Sequence, residues 1–173
     1  MKKLIFAVLS LLMGTMCMAQ ENDSRGYIVK VGDMVPNVEL TLMDGTRVKM
    51  SDLRGKVVML QFTASWCGVC RKEMPFIEKE IWQKHKNDDF VLYGVDRDEP
   101  REKAQKLIDA TSITYPIALD DKAKAFSRFA LLKSGVTRNV IVDKQGKIVY
   151  LTRLFNRTEF DKMKNVIDEL LKE

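Results

Sequence analysis

The chain has 173 residues, 46% of them hydrophobic and 31% charged, with 29 basic and 24 acidic residues giving a net charge of +5. That length suffices for one domain with a proper core. The charges of both signs are interspersed, which argues against a nucleic-acid-binding or membrane-surface protein.

The opening MKKLIFAVLSLLMGTMCMAQ has the layout of a secretory signal peptide: Lys2 and Lys3, an apolar run over residues 4–13, then small residues. The run is shorter than the roughly 20 residues that a membrane span requires. Residues 1–19 are read as the signal, cut after Ala19, with lipid attachment at Cys17 as the weaker alternative. A periplasmic or secreted mature chain is expected, with no membrane span. Cleavage leaves 27 basic against 24 acidic residues and two cysteines, Cys67 and Cys70. A small exported protein held by disulfides would carry more cysteines spread along its length. This pair closes too short a loop to restrain the unfolded chain much.

Residues 20–30 read as a polar leader, and residues 31–173 as a single domain. Alternating apolar and polar residues at 38–42 and 47–50, around the turn Met43-Asp44-Gly45-Thr46, predict a β-hairpin. Residues 51–55 follow as a helical turn or loop. The nearly continuous apolar run 57–62 predicts a strand buried on both faces. From Cys67 to about residue 86, Met74, Ile77, Ile81 and Trp82 recur at helical spacing, with a kink expected at Pro75. A second buried strand is predicted at 90–95 and a helix at 99–111, with Pro100 in its first turn. Then come a short extended piece at 115–119 and a helix at 122–132. Strands at 139–143 and 147–151 flank the turn 143–146, and an amphipathic helix closes the chain from about 158 to 172. The class is α/β.

The chemistry concentrates in S-W-C-G-V-C-R-K-E-M-P, residues 65–75. A strand followed by Cys-x-x-Cys at a helix start puts the first sulfur at the helix N-terminus. Free backbone N–H groups and the positive end of the helix dipole favour a thiolate there. Cys67 is therefore the expected nucleophile and Cys70, one turn on, the resolving thiol. Glu73, three residues after Cys70, lies on the same helical face, where it is either a partly buried proton acceptor for Cys70 or a solvated surface acid. Trp66 is either core or a shield for the thiol beside a substrate groove. Two cysteines supply only half a tetrahedral zinc site. The single histidine, His85, lies near the far end of the same helix and is expected at the surface.

Several segments together resemble the thioredoxin superfamily, specifically its exported TlpA/ResA-like branch. They are Val31-Gly32-Asp33 with Pro36, Leu53-Arg54-Gly55-Lys56-Val57, F-T-A-S-W-C-G-V-C-R-K-E-M-P, residues 115–120, and residues 140–148. The resemblance spans residues 31–172. It implies a thioredoxin fold, a central mixed sheet flanked by helices, with an N-terminal β-hairpin and a central insert. It implies thiol–disulfide exchange on protein substrates, an upstream electron donor, a monomer, and no cofactor beyond the Cys67–Cys70 pair. The family's glutamate after the second cysteine maps onto Glu73. The acid that thioredoxins place six residues before the first cysteine falls on Gln61, which does not titrate.

One departure stands out. The family's cis-proline, which faces the active cysteine and forms the substrate platform, falls on Thr137, after Val136. A cis peptide before threonine costs about 2.5–4 kcal/mol, so this bond is expected to be trans, or else cis under strain. The alternatives to exchange are a peroxiredoxin-like peroxidase and a non-enzymatic binding protein or copper carrier. The peroxidase needs a threonine three residues before its cysteine and a proline upstream, where this chain has Ala64 and Met59.

Overall fold

A computed structural model describes residues 25–173. The expected signal peptide and its cleavage or lipidation site lie outside the described residues. Seven strands form one mixed sheet in the order β2-β1-β5-β4-β3-β6-β7. They are β1 (Glu39–Leu42), β2 (Arg47–Lys49), β3 (Val57–Thr63), β4 (Phe90–Arg97), β5 (Ile117–Asp120), β6 (Arg138–Val142) and β7 (Ile148–Arg153). β3 runs parallel to β4, and β4 parallel to β5. β6 lies antiparallel to β3 on its other side, and β7 antiparallel to β6. The hairpin β1–β2 joins through β5, with Leu42 opposite Ala118.

The apolar run at 57–62 explains the centre. Every residue of β3 is buried, as a strand covered on both faces must be. Phe62 packs edge-on to Phe126 and tilted against Phe129, with centroids 5.6 and 5.2 Å apart. The leader reading gives way at its end: Tyr27 is buried, donates its hydroxyl to the Thr152 carbonyl at 2.6 Å, and bridges to Ala130.

Helix α1 (Gly68–Ile77) passes through Pro75 without stopping. One turn later it widens into a π turn over Glu78–Trp82, where the Gln83 N–H bonds the Glu78 carbonyl, and then ends in α2 (Gln83–His85). The expected kink is thus taken up as a local widening. Pro100 caps α3 (Arg101–Thr111) from outside its first turn, with ψ 152°. Helix α4 (Arg157–Leu170) is capped by Asn156, whose side chain accepts from the Glu159 N–H.

Two expectations are corrected. Residues 122–132 form no α-helix, only single turns at Asp121–Ala123 and Phe126–Arg128. The Asp120 carboxylate accepts from the Ala125 and Phe126 N–H groups, and Asp98 accepts from that of Lys122. Lys122 and Ala123 sit at φ 57° and 52°, which no right-handed helix allows. His85 is buried at 7% exposure, not at the surface. Its two ring nitrogens lie 2.8 Å from Asp88 and 2.8 Å from Asp168 of α4.

Candidate active site

β3 ends at Thr63, and four residues later Cys67 occupies the N-cap of α1 with extended backbone (φ −85°, ψ 99°). Its sulfur accepts from the Cys70 N–H at 3.1 Å, one of the donors that a helix start leaves unpaired. The two sulfurs are joined in a disulfide. Cys67 keeps 7% exposure and Cys70 none, so of the pair only the first cysteine retains solvent-accessible surface.

Thr137 directly precedes β6, and strand pairing of β6 with β3 brings it to the cysteines. Its hydroxyl lies 3.1 Å from Cys67 Sγ and 3.3 Å from Cys70 Sγ. The Val136–Thr137 peptide is trans, since no described residue follows a cis bond. The Thr137 carbonyl accepts from the Leu154 N–H at 3.2 Å and from Arg153 at 3.3 Å, and both Val136 and Thr137 are buried.

Glu73 is more deeply buried than its sequence position implies, at 1% exposure. Oε1 accepts from Asn139 Nδ2 at 2.8 Å, and that same amide also donates to Thr152. Oε2 has no hydrogen-bond partner among the described residues. Burial pushes the Glu73 carboxyl up to about 7, against the lowering effect of the Asn139 and Gln61 amides, and Glu159 adds to the rise. Gln61 Oε1 accepts from the buried Tyr115 hydroxyl at 2.6 Å.

Trp66 projects from the loop at 61% exposure, so it is not core. Together with Ser65, Arg71, Lys103, Lys106, Leu107 and Ala110 it lines a surface cavity of about 450 Å³. The fold therefore brings Cys67, Cys70 and Thr137 into contact and places Glu73 behind them, with Trp66 at the rim and Val136 below the surface.

Sequence reasoning missed Asn139, the Gln61–Tyr115 pair, and the acids Asp96 and Glu99 beside the loop. Asn139 was within reach: it stands two residues after Thr137, and a strand puts such residues on one face.

Residues 30–167 match the Redoxin family profile. The chain is 28% identical over 121 residues to the thiol-disulfide oxidoreductase ResA of Bacillus cereus, covering 70% of this chain and 68% of that one. Among solved structures it resembles a candidate protein disulfide isomerase from Bacteroides thetaiotaomicron, at 59% identity and TM-score 0.83, over 86% of this chain and 94% of that one. It also resembles a candidate thiol:disulfide interchange protein DsbE from Chlorobium tepidum, at 27% identity and TM-score 0.71, over 83% and 99%.

Proposed function

The chain belongs to the Redoxin family as a ResA-like thiol–disulfide oxidoreductase of the thioredoxin superfamily, and we propose that it is an exported reductant of protein disulfides acting through Cys67. One observation carries the reading. Of the disulfide at the start of α1 only the first cysteine keeps solvent-accessible surface, with the second fully buried and the Glu73 carboxyl, pushed up to about 7 by burial, one turn behind it.

In the reduced chain, the Cys67 thiolate attacks a sulfur of the substrate disulfide. A bond forms to Cys67 Sγ, the substrate S–S bond breaks, and one substrate thiolate leaves. Glu73 takes the Cys70 proton, and the Cys70 thiolate attacks Cys67 Sγ. The second substrate thiolate leaves with a proton, and the Cys67–Cys70 disulfide remains. Two electrons have passed to the substrate, and an upstream dithiol donor returns them. No cofactor beyond the cysteine pair enters the cycle.

Export is supported by the layout of residues 1–19, with the mature chain periplasmic or secreted. Among the described residues no helix is long and apolar enough to cross a membrane. The peroxidase alternative finds little support: Ala64 stands three residues before Cys67, and the Thr63 hydroxyl donates to Met74 Sδ at 3.6 Å.

The test is insulin reduction with a dithiol donor, run beside hydrogen peroxide consumption with the same donor. Turnover of insulin disulfides without peroxide consumption supports the reading. The opposite pattern would assign a peroxidase.

A further inference from the structure

The cavity beside the cysteine loop carries charge that the exchange reaction does not use. Its walls take Trp66 from the loop, Arg71 from α1, and Lys103, Lys106 and Leu107 from α3. The three α3 residues stand at positions i, i+3 and i+4, which one face of a helix presents together. Leu107 is buried and supplies an apolar floor, while both lysines stay exposed. Among the described residues neither lysine has an ion-pair or hydrogen-bond partner for its ammonium group.

Arg71 links this cavity to the nucleophile. Its backbone N–H donates to the Cys67 carbonyl at 3.1 Å, so its side chain leaves the helix one turn beyond Cys67. Nη1 donates to the Ser65 carbonyl at 3.0 Å, and the guanidinium has further N–H donors for a ligand. Trp66, 61% exposed, directly precedes Cys67. The acid bonded to this loop, Glu99, is occupied: its Oε2 accepts from the Ser65 N–H at 2.5 Å and its Oε1 from the Ser65 hydroxyl at 2.6 Å. Glu102 and Asp109 of α3 do not line the cavity, and Asp109 accepts from Gln105 at 2.8 Å. Arg71, Lys103 and Lys106 therefore face a cavity with no carboxylate in its walls.

We propose that this cavity docks an acidic segment of the protein substrate, its Asp or Glu side chains meeting Arg71, Lys103 and Lys106 and an apolar side chain lying against Trp66. The segment flanks the reacting cysteine. A helical turn rises about 5.4 Å and an extended residue spans about 3.3 Å, so the acidic residues stand about two to four positions from that cysteine. The substrate assignment rests on the exchange reading proposed above; the binding of an acidic peptide does not.

Charge complementarity selects this occupant. At about 450 Å³ the cavity lies towards the small end of ligand pockets, which run from about 300 to 1,000 Å³, and it admits the side chains of a short segment rather than a folded surface. A guanidinium grips a carboxylate through two parallel hydrogen bonds, and the two ammonium groups add point charges. Exposed ion pairs are individually weak, but three together give a preference of about tenfold at low salt, and added salt screens it.

Two readouts test it. Peptides of about ten residues, with serine in place of the cysteine and flanked by Glu and Asp, by Gln and Asn, or by Lys, are titrated into the oxidised full chain in a Trp82→Phe background. Trp66 emission reports binding. The acidic peptide should bind about tenfold tighter than the neutral one at low salt, and the gap should close to about twofold in about 0.5 M NaCl. The same peptides with cysteine, oxidised to disulfide dimers, are then reduced by the chain with a dithiol donor, and kcat/KM should follow the same order. Lys103→Gln with Lys106→Gln should bring the acidic-to-neutral ratio near one. Lys103→Glu with Lys106→Glu should turn the preference to the lysine peptide. Equal binding of the three peptides overturns the proposal, as does a ratio that neither pair of substitutions moves. Inorganic phosphate that quenches Trp66 as strongly as the acidic peptide, at equal concentration, would overturn it in favour of a small-anion site. If the acidic peptide binds as stated but no dimer is reduced, the docking site stands and the exchange reading fails.

Discussion

The Thr137 hydroxyl borders both members of the cysteine pair, at 3.1 Å from Cys67 Sγ and 3.3 Å from Cys70 Sγ. On reduction it is placed to donate to whichever sulfur is the thiolate. A hydrogen bond to a charged group contributes about 1.5 kcal/mol, or about one pKa unit. Thr137→Val should therefore raise the Cys67 pKa by up to about one unit, read from the pH dependence of iodoacetamide alkylation. Thr137→Pro removes the backbone N–H as well, and should speed release of mixed disulfides and raise insulin turnover.

Glu73→Gln should slow the second step of exchange while leaving the first alkylation of Cys67 nearly unchanged. The carboxyl, pushed up to about 7 by burial, accepts the Cys70 proton only when ionised, so wild-type turnover should climb between about pH 6 and 8. The variant should be slower by about tenfold or more and lose that rise, as measured by single-turnover reduction of a mixed disulfide.

The same carboxyl makes stability depend on pH. Its folded pKa, about 7, lies above the unfolded value of 4.5, so between these pH values the native state holds a proton that the unfolded state has lost. Stability is full below about pH 4.5, falls as pH rises, and is lowest above about 7, by about 3 kcal/mol for this group. Asp96 falls in the same direction over its own range, from 3.8 to about 7. Urea unfolding of the oxidised chain at pH 5 and 8 should show the difference, and Glu73→Gln should reduce it but not abolish it.

His85 ties the helix that starts at Cys67 to α4 through Asp168, which also accepts from Lys84. Its ring packs edge-on against Phe90, with centroids 5.8 Å apart. His85→Ala removes two partly buried hydrogen bonds and this contact, and should cost about 1–3 kcal/mol in urea unfolding. Insulin turnover should stay within about twofold.

What the sequence made legible were features with strong local signals. The apolar run at 57–62 and the Cys-x-x-Cys behind it placed the central strand and the sulfurs, and it was the family resemblance that put Thr137 opposite them. Residues 122–132 misled because their helical spacing competes with side-chain caps from Asp120 and from Asp98, the latter 24 residues from its partner Lys122 and brought there by the sheet. His85 looked solvated because its partner Asp168 lies 83 residues away. Asp96 was hidden in D-R-D-E, a run that reads as a surface loop, although alternation along β4 turns its first acid inward.

The central claim is that Cys67 attacks substrate disulfides and Cys70 resolves them. Trapping tests it most directly: the Cys70→Ser and Cys67→Ser chains are each reduced, mixed with insulin, quenched with acid, and mapped by mass spectrometry. The account predicts a stable insulin adduct on Cys67 in Cys70→Ser and almost none in Cys67→Ser. Equal trapping by both variants, or an adduct on Cys70 alone, would contradict it.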